Sequence, residues 1–173
     1  LWALAGSYMV LLFTTPCRDI RTPLLALLIA GAVLQAAHAG VQLAAIATLP
    51  GGRPYGSFQQ VNVLASFLAT GMACALWLFL QPVRRRNSAL SALALFVLPA
   101  MLALLQSRAG SLGALLAAAL ILPTARKRQA SIALVIVAAG AGMGLLWLYA
   151  GSYLLPGFVP KVNDKNSTTK YRL

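Results

Sequence analysis

From Ser88 to Ala125 the chain carries one charged residue, Arg108, set inside Gln106-Ser107-Arg108-Ala109-Gly110. A membrane-crossing helix needs about 20 apolar residues to cover roughly 30 Å of hydrocarbon. The tract is too long for one crossing and suits two. It predicts two helices joined by a tight turn at Ser107-Arg108-Ala109-Gly110. A charge at the centre of a span costs at least about 2.5–3.5 kcal/mol, less near its edge. Arg108 therefore needs a compensating partner, and an anionic ligand at the membrane surface would supply one.

Composition supports the membrane reading. Of 173 residues, 60% are hydrophobic and only 9% are charged, which excludes an ordinary soluble globular domain. The net charge of +12 raises nucleic acid as a partner, but its distribution argues against that. The basic residues sit in short clusters between apolar tracts, the pattern that sets membrane topology. Cys17 lies in a loop and Cys74 well inside an apolar tract, too far apart in depth for a disulfide. The chain begins at Leu1 inside an apolar tract and ends at Tyr171-Arg172-Leu173 in a polar one, so it is expected to be a piece of a longer membrane protein.

The expected fold is all-α and polytopic. Six apolar segments are expected as transmembrane helices, near residues 1–14, 23–49, 61–80, 88–106, 110–124 and 130–149. Helices are required because a lone span must satisfy its own backbone hydrogen bonds. Residues 1–150 form the expected helical core, and 151–173 open an outer loop or domain. One set of loops holds Arg18 and Arg21, then Arg84, Arg85 and Arg86, then Arg126, Lys127 and Arg128. The intervening short loops hold only Arg53 and Arg108. The positive-inside rule places the rich loops in the cytoplasm and Arg53, Arg108 and the tail outside. Pro82, Pro123 and Pro156 fall at segment ends, as helix boundaries should. Gly140 and Gly144 form a Gly-x-x-x-Gly pair suited to close helix packing.

The outer face collects the residues able to do chemistry. Gly51 to Asn62 form a glycine-rich loop with one cation, Arg53, leading into a helix. A helix N-terminus offers free N–H groups and partial positive charge, a ready place for an anion. The helix after Gly110 starts from the same side, so two helix starts, Arg53 and Arg108 could meet one anion. A plainer account has Asn62 capping a helix, the glycines making turns and Arg53 snorkelling. Two polar stripes follow helical spacing within the membrane: Gln35, His38 and Gln42, and Asn62, Ser66 and Thr70. Both are expected to face protein and hydrogen-bond between helices, with His38 roughly mid-membrane. Asp19 and Asp164 form no carboxylate pair, and no cluster has metal-ligand spacing. No catalytic residue is assigned within this chain.

Arg53-Pro54-Tyr55-Gly56-Ser57-Phe58-Gln59-Gln60-Val61-Asn62-Val63-Leu64-Ala65 resembles the signature of bacterial protein O-oligosaccharyltransferases, the pilin-glycosylating branch of the O-antigen ligase family. Gln106-Ser107-Arg108-Ala109-Gly110 is similar to the Ser-Arg-Gly element of the ligase core, with Ala109 where glycine is usual. Asn166 to Arg172 looks like the start of the family's outer domain. The resemblance implies an enzyme of the bacterial inner membrane acting on its periplasmic face. Its donor would be a glycan on undecaprenyl pyrophosphate, and its acceptor a Ser or Thr hydroxyl of a pilin-like protein or a sugar of lipid A core. It implies no metal and no nucleotide cofactor. It assigns Arg108, Arg172 and Arg53 to the pyrophosphate, with Tyr55, Gln60, Asn62 and Ser107 shaping the pocket. The family's presumed base is a histidine of the large periplasmic loop, expected beyond Leu173, so this chain alone is expected to be inactive. An O-antigen ligase or polymerase acting on a glycan acceptor is the nearest alternative. A transporter or flippase of lipid-linked glycan is the alternative from another class.

Overall fold

The computed structural model describes residues 18–45, 53–81 and 85–154. Among them the chain is all-α, with five α-helices and a short 3-10 turn: α1 Arg18–Ala45, α2 Val61–Leu80, α3 Arg85–Leu105, α4 Arg108–Ile121, the turn Leu122–Thr124, and α5 Lys127–Leu154. The segment expected at 1–14 lies outside the described residues.

Among the described residues, three helices are long and apolar enough to cross a membrane: Thr22–Ala44, Val61–Leu80 and Lys127–Tyr149. The chain is a membrane protein on that ground. The apolar parts of α3 and α4, Ala89–Leu105 and Arg108–Thr124, are shorter. Six full spans are therefore not shown among the described residues. The expected pair within 88–124 is present as two helices, but α4 gives way to a 3-10 turn at Leu122-Pro123-Thr124. Pro123 lacks the N–H that an α-helix would use there, so the helix ends at that point.

Other boundaries shift for local reasons. α1 starts at Arg18 rather than at residue 23, with Pro23 inside it. The proline removes one N–H near the helix start, a loss a long helix tolerates. α5 starts at Lys127 and runs past residue 150 to Leu154. The turn expected at Ser107-Arg108-Ala109-Gly110 is in fact Gln106-Ser107, and Arg108 is already the first residue of α4. Ser107 is the reason: its side chain accepts from Gly110 N–H and caps the helix at that point.

α2 is the central helix. It contacts α1, α3 and α4, and α1 also reaches α3. Its buried residues include Leu64, Ala65, Leu68, Met72, Ala75 and Leu76. They meet Ile29, Ala32, Ala36 and Ala39 of α1 and Leu95, Leu98, Leu102 and Leu105 of α3 in one apolar core. Small residues set the closest approaches, as expected between helices that gain little from hydrophobic burial in lipid. A Cβ on Gly71 would collide with the Ala32 side chain. α5 packs chiefly on α3, where a Cβ on Gly140 would strike the Phe96 carbonyl and one on Gly144 the Ala100 carbonyl. The Gly-x-x-x-Gly pair is thus a helix-packing device. The remaining face of α5 presents Leu134, Val135, Leu146 and Trp147 outward, as a lipid-facing surface should.

Candidate functional site

α3 and α4 are joined by two residues yet hardly touch; α4 leans on α2 instead. Gln106 makes this possible by adopting φ +51°, a left-handed turn after the last residue of α3. Its N–H bonds the Ala103 carbonyl at 3.2 Å. Ser107, almost wholly buried, then donates its hydroxyl to Asn62 Oδ1 at 3.2 Å. The same oxygen accepts from Gly110 N–H at 3.3 Å. One turn further on, a Cβ on Gly110 would lie 2.6 Å from Ala65 Cβ and 3.2 Å from the Ala65 backbone. The starts of α2 and α4 are therefore locked side by side. Arg108 emerges exposed from the first position of α4, beside that junction.

The loop before α2 reaches the same end of the bundle. Its tip turns at Gly56, with φ +59°, and Phe58 N–H closes the turn on the Tyr55 carbonyl at 3.2 Å. Glycine is needed there twice over. The backbone is left-handed, and a Cβ would meet Gln35 Oε1 at 3.0 Å and Leu64 Cδ1 at 3.3 Å. Phe58 anchors the loop to α2 through Phe67, with ring centroids 5.3 Å apart.

α1 holds the loop by side chains. The buried Gln42 carboxamide donates to the Gly56 carbonyl at 3.0 Å. Its oxygen accepts from Gly56 N–H at 2.9 Å and from Tyr55 N–H at 3.1 Å. Two turns back along α1, Gln35 donates to Ser57 Oγ and accepts from Ser57 N–H, each at 3.3 Å. His38 Nδ1 lies 3.2 Å from the same Ser57 oxygen.

This corrects the expected role of both stripes. Gln35, His38 and Gln42 do face protein, but their partner is the loop and not another helix. His38 is exposed, and its ring nitrogen meets the loop at Ser57. On α2, Ser66 Oγ donates to the Asn62 carbonyl and Thr70 Oγ1 to the Ser66 carbonyl, both at 2.9 Å and both within their own helix. Such i−4 bonds satisfy a hydroxyl without a neighbour. Of that stripe, Asn62 alone bonds across to another element through its side chain. Nor does Asn62 cap α2. Gln60 occupies the cap position, extended and without a side-chain bond.

The sequence-expected site residues divide as follows. Asn62, Ser107 and Arg108 are brought together at one end of α2. Tyr55 is half-buried, its N–H held by Gln42, and Arg53 is half-buried at the loop's start. Gln60 is exposed, and its carbonyl receives Leu64 N–H at 3.1 Å. Arg172 lies outside the described residues. Gln35 and Gln42 anchor the loop, a role that their sequence context does not assign to the site. Their spacing on α1 signals a shared face, but spacing alone does not name the partner.

Residues 54–79, which span the loop and almost all of α2, match a protein-family model described as a protein glycosylation ligase. No curated protein and no solved structure matches the chain. The match supports the glycosylation-ligase family over that short region, and with it a glycosyl-transferring enzyme.

Proposed function

We propose that this chain forms the donor-binding part of a membrane oligosaccharyltransferase that moves a glycan from undecaprenyl pyrophosphate to a Ser or Thr hydroxyl of a pilin-like protein in the periplasm. The carrying observation is the Ser107–Asn62 bond. It sets Arg108 beside the start of α2, the helix that the glycosylation-ligase match covers.

In the reaction, the acceptor hydroxyl oxygen bonds the anomeric carbon and gives its proton to a general base as the bond from that carbon to the phosphate oxygen breaks. The electron pair leaves with the diphosphate, so negative charge develops on the leaving group. Fixed donors aimed at such a charge lower the barrier without reorganising. The guanidinium of Arg108 and the first N–H groups of α4, ahead of the Gly110 N–H that Ser107 takes up, suit that task. In this reading Arg53 of the loop supplies a second guanidinium and Arg172 a third, with Tyr55, Gln60 and Asn62 shaping the pocket.

Arg108→Ala in the intact protein tests the reading. Pilin glycosylation should fall while lipid-linked glycan accumulates on the periplasmic side. Accumulation on the cytoplasmic side would instead favour a flippase.

A further inference from the structure

Gln42 makes three hydrogen bonds to two consecutive residues of the loop and none of them is to a side chain. Its carboxamide thus behaves as a neighbouring strand would, pairing with a backbone that belongs to no sheet. Only 7% of the residue is exposed, so water does not compete for these bonds. Buried amides of this kind are expensive to leave unpaired. The bonds fix Tyr55 and Gly56, just after Arg53 and Pro54, at the point where the chain reverses direction. The residue responsible lies on α1, outside the matched segment 54–79.

We propose that Gln42 is a positioning residue of the donor site: by clamping the Tyr55–Gly56 backbone it holds Arg53 and Tyr55 where a lipid-borne diphosphate is gripped. This rests on the oligosaccharyltransferase reading above. Gln35 assists as a second clamp, since it pairs with both the N–H and the hydroxyl of Ser57. The role differs from general core packing in one respect. The clamp acts on the donor's side of the reaction and leaves the acceptor's side untouched.

The test uses the intact protein in detergent or vesicles, with lipid-diphosphate-linked glycan as donor and a hydroxyl-bearing peptide as acceptor. Gln42→Leu removes all three bonds at nearly constant volume. Gln42→Asn stays polar but is one methylene too short to reach the loop. For folded protein at wild-type yield, the donor KM should rise at least about tenfold in Gln42→Leu. Gln42→Asn should show the same rise to a smaller extent, and the acceptor KM should not move in either. A donor KM within twofold of wild type in a folded variant overturns the proposal. So does an equal rise in both KM values, or failure of both variants to fold, since each marks Gln42 as a purely structural residue. Arg108→Ala is assayed alongside. If Arg108→Ala retains full activity, the functional reading fails and this inference with it. If Arg108→Ala is inactive while Gln42→Leu is normal, this inference alone fails.

Discussion

Ser107 donates its hydroxyl to the Asn62 carboxamide oxygen across 3.2 Å, although the two residues lie 45 positions apart. Because the same hydroxyl oxygen receives Gly110 N–H, one side chain both caps α4 and moors it to α2. The backbone of Arg108 is held between those two contacts. An anion at this end therefore meets a guanidinium whose base is fixed by a buried neighbour, not one tethered to a free loop.

Replacing Ser107 should separate the two helix starts. Loss of an N-cap costs about 1 kcal/mol, and loss of the bond to Asn62 about as much again. Ser107→Ala should thus lower stability by about 1–2 kcal/mol, read as a lower melting temperature in detergent. Ser107→Thr retains the hydroxyl and should stay close to wild type. Equal melting of the Ser107→Ala variant and the wild type would remove the mooring.

Two glycines of α4 make an internal control. A Cβ on Gly110 would press on the Ala65 side chain and backbone, whereas one on Gly113 meets nothing within 4 Å. Gly110→Ala must push α4 away from α2, at a cost of about 1–3 kcal/mol. Gly113→Ala should be neutral or stabilising by up to about 1 kcal/mol, since alanine favours helix over glycine. Melting curves check the packing: the Gly113→Ala variant should be at least as stable as wild type, and the Gly110→Ala variant less so.

The same contrast holds on α5. Gly140 and Gly144 face carbonyls of α3, while Gly142 faces open space. Gly140→Ala and Gly144→Ala should each lower the melting temperature, and Gly142→Ala should not. If all three behave alike, α5 does not sit on α3 as described.

Much of this arrangement can be read from residue order. Apolar period and length mark the helices, because a membrane helix must be apolar nearly all round. Basic clusters mark their ends. The convergence of Asn62 with Ser107 and Arg108 follows from antiparallel crossings, which return the chain to the same side. What residue order does not disclose depends on tertiary choice. Gln35, His38 and Gln42 announce a polar face on α1, yet a loop and a helix satisfy such a face equally well. Likewise Ser66 and Thr70 satisfy themselves through their own helix, an option that spacing cannot distinguish from a bond to a neighbour. The divergence of α3 and α4 turns on a single left-handed residue, Gln106, a conformation that sequence rarely announces outside glycine and asparagine.

That residue yields its own expectation. A non-glycine side chain at φ +51° costs about 1–2 kcal/mol relative to the right-handed form. Gln106→Gly should therefore stabilise the turn by up to about 1 kcal/mol, with the melting temperature raised and the helix content unchanged. A lower melting temperature would mean that the Gln106 side chain itself holds the turn.

Arg108 supplies the sharpest separation of stability from activity. It is exposed, and its neighbour Ser107, not its own side chain, makes the bonds that hold α4. Exposed substitutions away from such bonds change stability by no more than about 0.5 kcal/mol. Arg108→Ala should consequently melt like wild type. Its transfer rate should nonetheless fall by at least about tenfold, because a charge-assisted hydrogen bond to a phosphate is worth about 1.5–3 kcal/mol. Arg108→Lys keeps the charge but loses the planar fork that matches two phosphate oxygens, so it should recover only part of the rate. Steady-state transfer from lipid-diphosphate-linked glycan, measured beside a melting curve for each variant, decides the matter. Full activity in Arg108→Ala, or a loss of activity matched by a loss of folded protein, would remove Arg108 from the donor site.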